Sequence, residues 1–186
     1  MDTLNTINGE RIYLARIPDE EKYYRKYMEL LNAQHIMAGT GNEPHTMEEV
    51  KELFAEWRED EDNMTWGIFR KDDSELIGDV CLRYGYEEYD NEGPEVAIMV
   101  GVAKSGYGSE AMKLLLDYVF DESTELFGEK IEVINLGLYK ENQGALKLYS
   151  KLGFEEVMER PDVDNGKVEI VMQMTKKMWH SLKKDI

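Results

Sequence analysis

Residues 95–120 place the tightest constraint on how this chain can fold. A near-continuous apolar run, EVAIMVG (95–101), leads through Gly106 and Gly108 into the amphipathic segment SEAMKLLLDYVF (109–120). The first reads as a strand buried on both faces. The second reads as a helix with Met112, Leu115, Leu116 and Val119 inward. A helix that starts straight after a strand exposes amides that lack intrahelical acceptors and carry partial positive charge. Glycines let those amides face an approaching anion with no Cβ in the way. The junction can therefore cradle a phosphate or diphosphate, with Lys104 and Ser105 adding a charge and a hydroxyl at its lip. Turn chemistry alone explains a Gly-x-Gly equally well. The stretch is no P-loop, since no Gly-Lys-Ser/Thr follows, and it lacks the third glycine and downstream acid of the dinucleotide fingerprint.

The surrounding pattern mixes both periodicities. ERIYLARI (10–17) reads as a first strand. Pro18-Asp19 then opens a helix through EEKYYRKYMELLNA (20–33). HTMEEVKELFAEWRED follows as a second helix, with Thr46 and Glu49 as a capping box and Val50, Leu53, Phe54 and Trp57 on one face. TWGIFR (65–70) and LIGDVCLRY (76–84) are strands joined by a polar turn, and EYDNEGP (88–94) is a loop. Beyond the central helix come a strand at 130–139, a short helix, and two strands flanking DVDNG, where Asn165-Gly166 favours a tight antiparallel hairpin. The tail MWHSLKKDI is short, basic and helical or frayed. This order predicts an α+β fold with a mixed sheet and helices on its faces.

Composition narrows the partners. With 39 acidic against 22 basic side chains, the net charge of -17 repels a nucleic-acid backbone and attracts a cationic small molecule. The same charge also serves solubility. One cysteine, Cys81, rules out an intrachain disulfide and fits a reducing cytoplasm. In its apolar run it reads as a small buried hydrophobe. No secretory signal opens the sequence, and no apolar run approaches the roughly 18 to 20 residues of a bilayer span. His35, His45 and His180 lack metal-ligand spacing, so no metal is expected.

The segment ENQGALKLYSKLGF (141–154) carries the second signal. Asn142 suits an N-cap and Gly153 a C′ position. Seven residues at about 100° each return Tyr149 to nearly the azimuth of Asn142, so both polar groups look the same way. A purely structural Tyr149 would instead pack its ring in the core and donate its hydroxyl to a backbone carbonyl.

Together, EVAIMVG leading to SGYGSEAMKLLLDYVF, followed by ENQGALKLYSKLGF, resemble the GNAT superfamily of acetyl-CoA-dependent N-acetyltransferases. The resemblance runs from about residue 9 to 178 within a single domain, 1–186. It leans toward the branch with spermidine and ribosomal-protein N-acetyltransferases. It implies the GNAT fold: a mixed, mostly antiparallel seven-stranded sheet with helices on both faces. It also implies acetyl-CoA as co-substrate. The backbone of Met99 and Val100 would pair with the pantetheine arm and point an N–H at the thioester oxygen. Lys104, Ser105, Gly106, Tyr107, Gly108 and Ser109 would hold the pyrophosphate. Asn142 would bond the pantetheine, and Tyr149 would protonate the leaving thiolate. The pattern departs from the family at Ala103, where Gln or Arg is usual, and in a shorter connection from Glu95 to Gly106.

Acetyl transfer needs a free lone pair, yet an alkylamine with a pKa near about 10.4 is protonated at neutral pH. A base must take that proton. Glu95, opening the buried strand, is the candidate because burial raises a carboxyl pKa. Glu87 and Glu88 are rivals on the neighbouring loop, and an edge carboxylate facing solvent is the plain alternative. Tyr84, Tyr86 and Tyr89 alternate with acids and suit an ammonium-bearing acceptor, with a solvated loop as the alternative. Tyr23, Tyr24 and Tyr27 offer another wall for it, although their helical spacing points to the core. The expected reaction is direct transfer from acetyl-CoA to a primary amine, with a small cationic amine or polyamine first and a protein N-terminus or aminoglycoside next. The competing class is a non-catalytic acyl-CoA-binding regulatory domain. A homodimer is compatible with the resemblance.

Overall fold

A computed structural model of the chain describes residues 4–40, 43–84, 93–103, 105–162 and 166–184. The chain divides into two compact units, residues 1–82 with 97–115 and residues 83–96 with 116–186.

The first unit contains β1 (Ile7–Asn8), β2 (Ile12–Ala15), α1 (Glu21–Leu31), α2 (Gln34–Thr40), α3 (Met47–Glu59), β3 (Asn63–Arg70) and β4 (Leu76–Arg83) up to Leu82. It also holds the end of β5 (Glu95–Val100) and the start of α4 (Tyr107–Val119). β2 pairs antiparallel with β1 and with β3, in the register Ile7↔Leu14 and Ile12↔Arg70. Alternation sends Ile12 and Leu14 fully inward, where Trp66 and Ile68 of β3 are also sealed from solvent.

The helical layer of this unit has an aromatic core. Tyr24 and Tyr27 meet Phe54 edge-on, with ring centroids 5.0 and 5.3 Å apart, and Phe54 stacks on Trp57 at 5.1 Å. Tyr24 and Tyr27 are buried, as helical spacing predicts for core residues. The Tyr27 hydroxyl donates to Asp79 Oδ1 at 2.8 Å. Thr46 and Glu49 form the expected capping box, with Thr46 N donating to Glu49 Oε2 and Glu49 N to Thr46 Oγ1. Cys81 is buried in β4.

The second unit contains Arg83, the start of β5, the end of α4, β6 (Val133–Tyr139), α5 (Gln143–Leu152), β7 (Glu155–Pro161), β8 (Val168–Thr175) and α6 (Lys176–Lys184). β8 pairs antiparallel with β6 from Val133↔Thr175 to Tyr139↔Glu169, and with β7 through a register shift between Glu156 and Met158. The hairpin closes with Asp162 N donating to Lys167 O and with Gly166 at φ 72°, a conformation glycine adopts without strain. Asn165 lies outside the described residues. The basic tail is helical, as α6.

The strands hydrogen-bond in the order β1-β2-β3-β4-β5-β6-β8-β7. This is a mixed, mostly antiparallel α+β sheet of eight strands, one more than the seven expected. The extra strand is β1, only two residues long and too short to show an alternating pattern. It forms because Gly9 N donates to Ile12 O at 2.9 Å and folds the chain back onto β2. Helix α2 was likewise absent from the sequence-based expectation. No helix among the described residues is long and apolar enough to cross a membrane.

Candidate active site

Gly106 turns the chain at the expected junction, whereas Gly108 lies inside α4, which begins at Tyr107 and not at Ser109, and the internal bonding assigns different tasks to these residues. Gly106 sits at φ 79°, and Glu110 N donates to its carbonyl at 3.1 Å, closing the first turn of α4. The Ser105 hydroxyl donates to Val102 O at 2.9 Å and accepts from Tyr107 N at 3.3 Å. Ser105 thus shapes the turn from inside. Gly108 and Ser109 occupy the first helical turn, whose amides have no acceptor within the helix. Lys104 lies outside the described residues.

A partner that the motif did not reveal comes from the segment between β1 and β2. Arg11 Nε donates to Glu110 Oε2 at 2.8 Å, and Arg11 Nη1 donates to Ser105 O at 3.0 Å. The Arg11 guanidinium lies over the Tyr107 ring, 4.8 Å from its centroid. Glu110 Oε1 also accepts from the backbone N–H groups of Arg11 and Ile12, at 2.8 and 3.3 Å. Burial by itself would push the Glu110 carboxyl up. The Arg11 amide and guanidinium and the Ile12 amide outweigh it and hold the group below the usual carboxylate range.

β5 differs from the expected strand buried on both faces. Val96 is buried, but Ala97, Ile98, Met99 and Val100 are only half-buried. β5 pairs in parallel with β6 at Glu95↔Asn135. On the β4 side the approach is close: Gly101 N donates to Ile77 O at 2.8 Å, and a Cβ on Gly78 would lie 2.0 Å from Met99 O. The main chain at Met99 and Val100 is held closely against β4, and both residues are only half-buried. That suits the pairing of an extended acyl carrier with a strand backbone.

Glu95 opens β5 in the second unit, with its side chain 11% exposed and Arg83 Nη2 donating to its Oε1 at 3.2 Å. Burial pushes its pKa up, the Arg83 charge and hydrogen bond pull against this, Glu169 adds to the rise and Arg160 opposes it. Burial prevails, so the group is a stronger base than a surface carboxylate. Arg160 Nε is itself engaged by Glu169 Oε2 at 2.6 Å. Opposite Glu95 in the ladder, Asn135 is fully buried; its Nδ2 donates to Gly93 O, and its Oδ1 accepts from Gln173 Nε2 at 3.1 Å. Arg83, Asn135, Arg160 and Glu169 went unnoticed in the sequence because paired charges on strands show no local signature. Glu87, Glu88, Tyr86 and Tyr89 lie outside the described residues. Tyr84 donates to Glu129 Oε1 at 2.6 Å and meets Phe127 edge-on.

Asn142 and Gly153 cap α5 as expected. Asn142 Oδ1 accepts from Ala145 N at 3.1 Å, and Gly153 is left-handed at φ 95°. Between them Tyr149 is 8% exposed, and its ring meets Phe154 at 5.8 Å. Phe154 N donates to Tyr149 O at 3.0 Å, which ties the residue's backbone to the helix end. Among the described residues the Tyr149 hydroxyl has no protein partner. Burial pushes its pKa up to about 12, so the phenol stays protonated at neutral pH and can donate.

The chain therefore carries a glycine turn braced by Arg11, a half-buried strand, a carboxylate that is 11% exposed and, among the described residues, a phenol with no protein partner. Among the described residues, no group of three His, Cys, Asp or Glu could hold a metal.

Residues 11–155 match the model of a GNAT acetyltransferase domain. Among curated proteins, the alpha/beta-tubulin-N-acetyltransferase 9 of Drosophila melanogaster is 28% identical over 182 residues, covering 91% of this chain and 84% of that one. An N-acetyltransferase 9-like protein of Caenorhabditis briggsae is 28% identical over 153 residues, covering 76% and 74%. Among solved structures, a GNAT-family acetyltransferase of Bacillus anthracis superposes with TM-score 0.75 at 17% identity, covering 93% and 99%. A spermidine N-acetyltransferase of Vibrio cholerae, solved with CoA and spermine, gives 0.74 at 20% identity, covering 92% and 99%. The order of strand, glycine turn, helix and capped tyrosine helix agrees with that match, and the chain belongs to the GNAT family of acetyltransferases, which take their acetyl group from acetyl-CoA.

Proposed function

We propose that the chain transfers acetyl from acetyl-CoA directly to a primary amine of a polypeptide, with Glu95 as the base and Tyr149 as the acid. The observation that carries the acid's role is the hydroxyl of Tyr149, a buried residue whose phenol has no protein acceptor among the described residues. Bound acetyl-CoA supplies the activated carbonyl. Met99 and Val100 align its thioester arm and offer a backbone N–H to the carbonyl oxygen. The amide face of Gly106, Tyr107, Gly108 and Ser109 receives the diphosphate, and Asn142 bonds the pantetheine from the start of α5. Lys104 belongs to the same proposal by its place in the sequence.

Glu95 takes the proton of the incoming ammonium, directly or through water, which frees the nitrogen lone pair. The nitrogen attacks the acetyl carbon, the C–N bond forms and the C–S bond breaks. Tyr149 gives its proton to the leaving sulfur. The nitrogen loses its second proton to solvent as the amide forms, Tyr149 recovers one from solvent, and Glu95 releases the first, so one proton is released per turnover. No covalent acyl-enzyme is required. The family match at 11–155 spans both units, which supports their serving one acetyltransferase domain.

The choice of acceptor rests on the sequence relatives named for tubulin acetylation, which run along most of this chain. The likeness to spermidine acetyltransferases lies at 20% identity or below in the superpositions described, and reflects fold alone. A polyamine is the second reading, favoured by the net charge of -17. Thiol release from acetyl-CoA, followed with peptides bearing free α- or ε-amines and with spermidine, tests the choice. Turnover on peptides with none on spermidine supports the polypeptide reading. Turnover confined to spermidine replaces it.

A further inference from the structure

Arg11 is not part of the glycine turn, yet it is bonded into it. Two of its nitrogens are committed: Nε to Glu110 and Nη1 to Ser105 O. Nη2 has no acceptor among the described residues. It stands 3.3 Å from where a Cβ on Gly106 would lie, on the side that a side chain at this position would fill. The Arg11 side chain is 47% exposed, so the unengaged edge reaches solvent beside the turn. The described residues of the turn itself, Ala103 and Ser105 to Ser109, bring no positive charge. Among the described residues, Arg11 is a cation that the fold delivers there.

We propose that Arg11 is a diphosphate-contacting residue: Glu110 and Ser105 O orient its guanidinium so that Nη2 meets the acetyl-CoA diphosphate beside Gly106. Glu110 has a double role in this arrangement. It fixes the fork of Arg11, and it secures the start of β2 through the amides of Arg11 and Ile12. A guanidinium held along one edge and open along the other suits a dianionic bridge, because little side-chain freedom remains to be lost on binding. The Tyr107 ring below the guanidinium limits its swing. The proposal rests on the reading of the glycine turn as the diphosphate site.

The test is calorimetry of the full chain with CoA in the absence of any amine, so a wrong acceptor assignment leaves it unaffected. Arg11→Gln is expected to weaken CoA binding about 10- to 100-fold, the range of a charge-assisted contact. The KM for acetyl-CoA should rise in step, with kcat changed by less than about threefold. Glu110→Gln keeps the cation while removing the carboxylate that orients it and accepts from the Arg11 and Ile12 amides, so its loss of CoA affinity should be several times smaller. Equal losses in the two variants would reduce Arg11 to a structural clamp and overturn the proposal, as would full CoA affinity in Arg11→Gln. Should Arg11→Gln fail to fold, Arg11→Lys decides: it can still pair with Glu110 but has no second fork arm. About a fivefold or greater loss supports the contact, and wild-type affinity overturns it.

Discussion

Arg83 donates to Glu95 across 3.2 Å, yet the Glu95 carboxyl remains a stronger base than an ordinary carboxylate. An exposed pair at this distance would lower the pKa. Here the side chain of Glu95 is 11% exposed and that of Arg83 is 31% exposed, so desolvation of the carboxylate exceeds the attraction of its partner. The pair holds the carboxyl in one orientation while keeping it able to accept a proton.

The pH profile should report this balance. A base works when deprotonated, so kcat/KM should fall as pH drops through the raised Glu95 pKa. Arg83→Gln removes the opposing charge, lifts the pKa further and moves the acid limb to higher pH. Glu95→Gln should lower kcat about 100-fold and abolish that limb. An unmoved limb in Arg83→Gln, or near-normal turnover in Glu95→Gln, would transfer the role to another group.

Tyr149→Phe separates chemistry from packing. The ring contact with Phe154 survives, and no described hydrogen bond is lost because the hydroxyl has no partner among the described residues. Folding stability should change by less than about 0.5 kcal/mol, and CoA affinity by less than about twofold. Turnover should fall about 100-fold if the phenol protonates sulfur. With a pKa pushed up to about 12, the acid stays protonated through neutrality, so the alkaline limb should lie well above pH 8 in the wild type. Unchanged turnover in the variant would leave Tyr149 with a packing role only.

Local signals in the sequence located this tyrosine and the turn. A cap, a glycine and a helical period are written within about two helical turns of each other, and each reappears in the fold: the Thr46–Glu49 box, the Asn142 cap, the Gly153 stop and the Gly106 turn. The groups that the sequence hid depend on pairing between distant segments. Arg11 meets Glu110 from 99 positions away, and Asn135 meets Gln173 only through the β6–β8 register. Apolar periodicity does not report such bonds, because charged residues on strands look like ordinary surface. The half-exposure of Ala97–Val100 was hidden for a related reason: an apolar strand reads as buried whether protein or a bound ligand covers it.

Glu110 should also contribute stability with a defined pH dependence. Its carboxyl is held below the usual range in the fold, so its contribution is present above the unfolded pKa, near about 4.3. The contribution is lost as pH falls through the lower folded value. Glu110→Gln should therefore cost about 1–3 kcal/mol at pH 7, since three donors lose a charged acceptor. The gap between variant and wild type should narrow as pH falls from the unfolded value through the lower folded one. Urea unfolding at a series of pH values measures it. A gap that stays constant with pH would mean that the carboxylate's charge does not matter to the fold.

Gly78→Ala tests how closely β4 fixes the main chain of β5. A Cβ at Gly78 would lie 2.0 Å from Met99 O and 3.0 Å from Val100 Cα, both backbone atoms. No rotamer change relieves such a contact, so the strands must part by on the order of 1 Å, or the fold must absorb the strain. The expected cost is about 2–4 kcal/mol, at the upper end for a single methyl because the obstruction is main chain. If Met99 and Val100 align the thioester, the displacement should also lower kcat about 10- to 100-fold, since a shift of that size upsets a positioned attack. Unfolding melts and steady-state kinetics on the same variant give both readouts. A variant with reduced stability and wild-type kcat would detach the β5 backbone from thioester alignment.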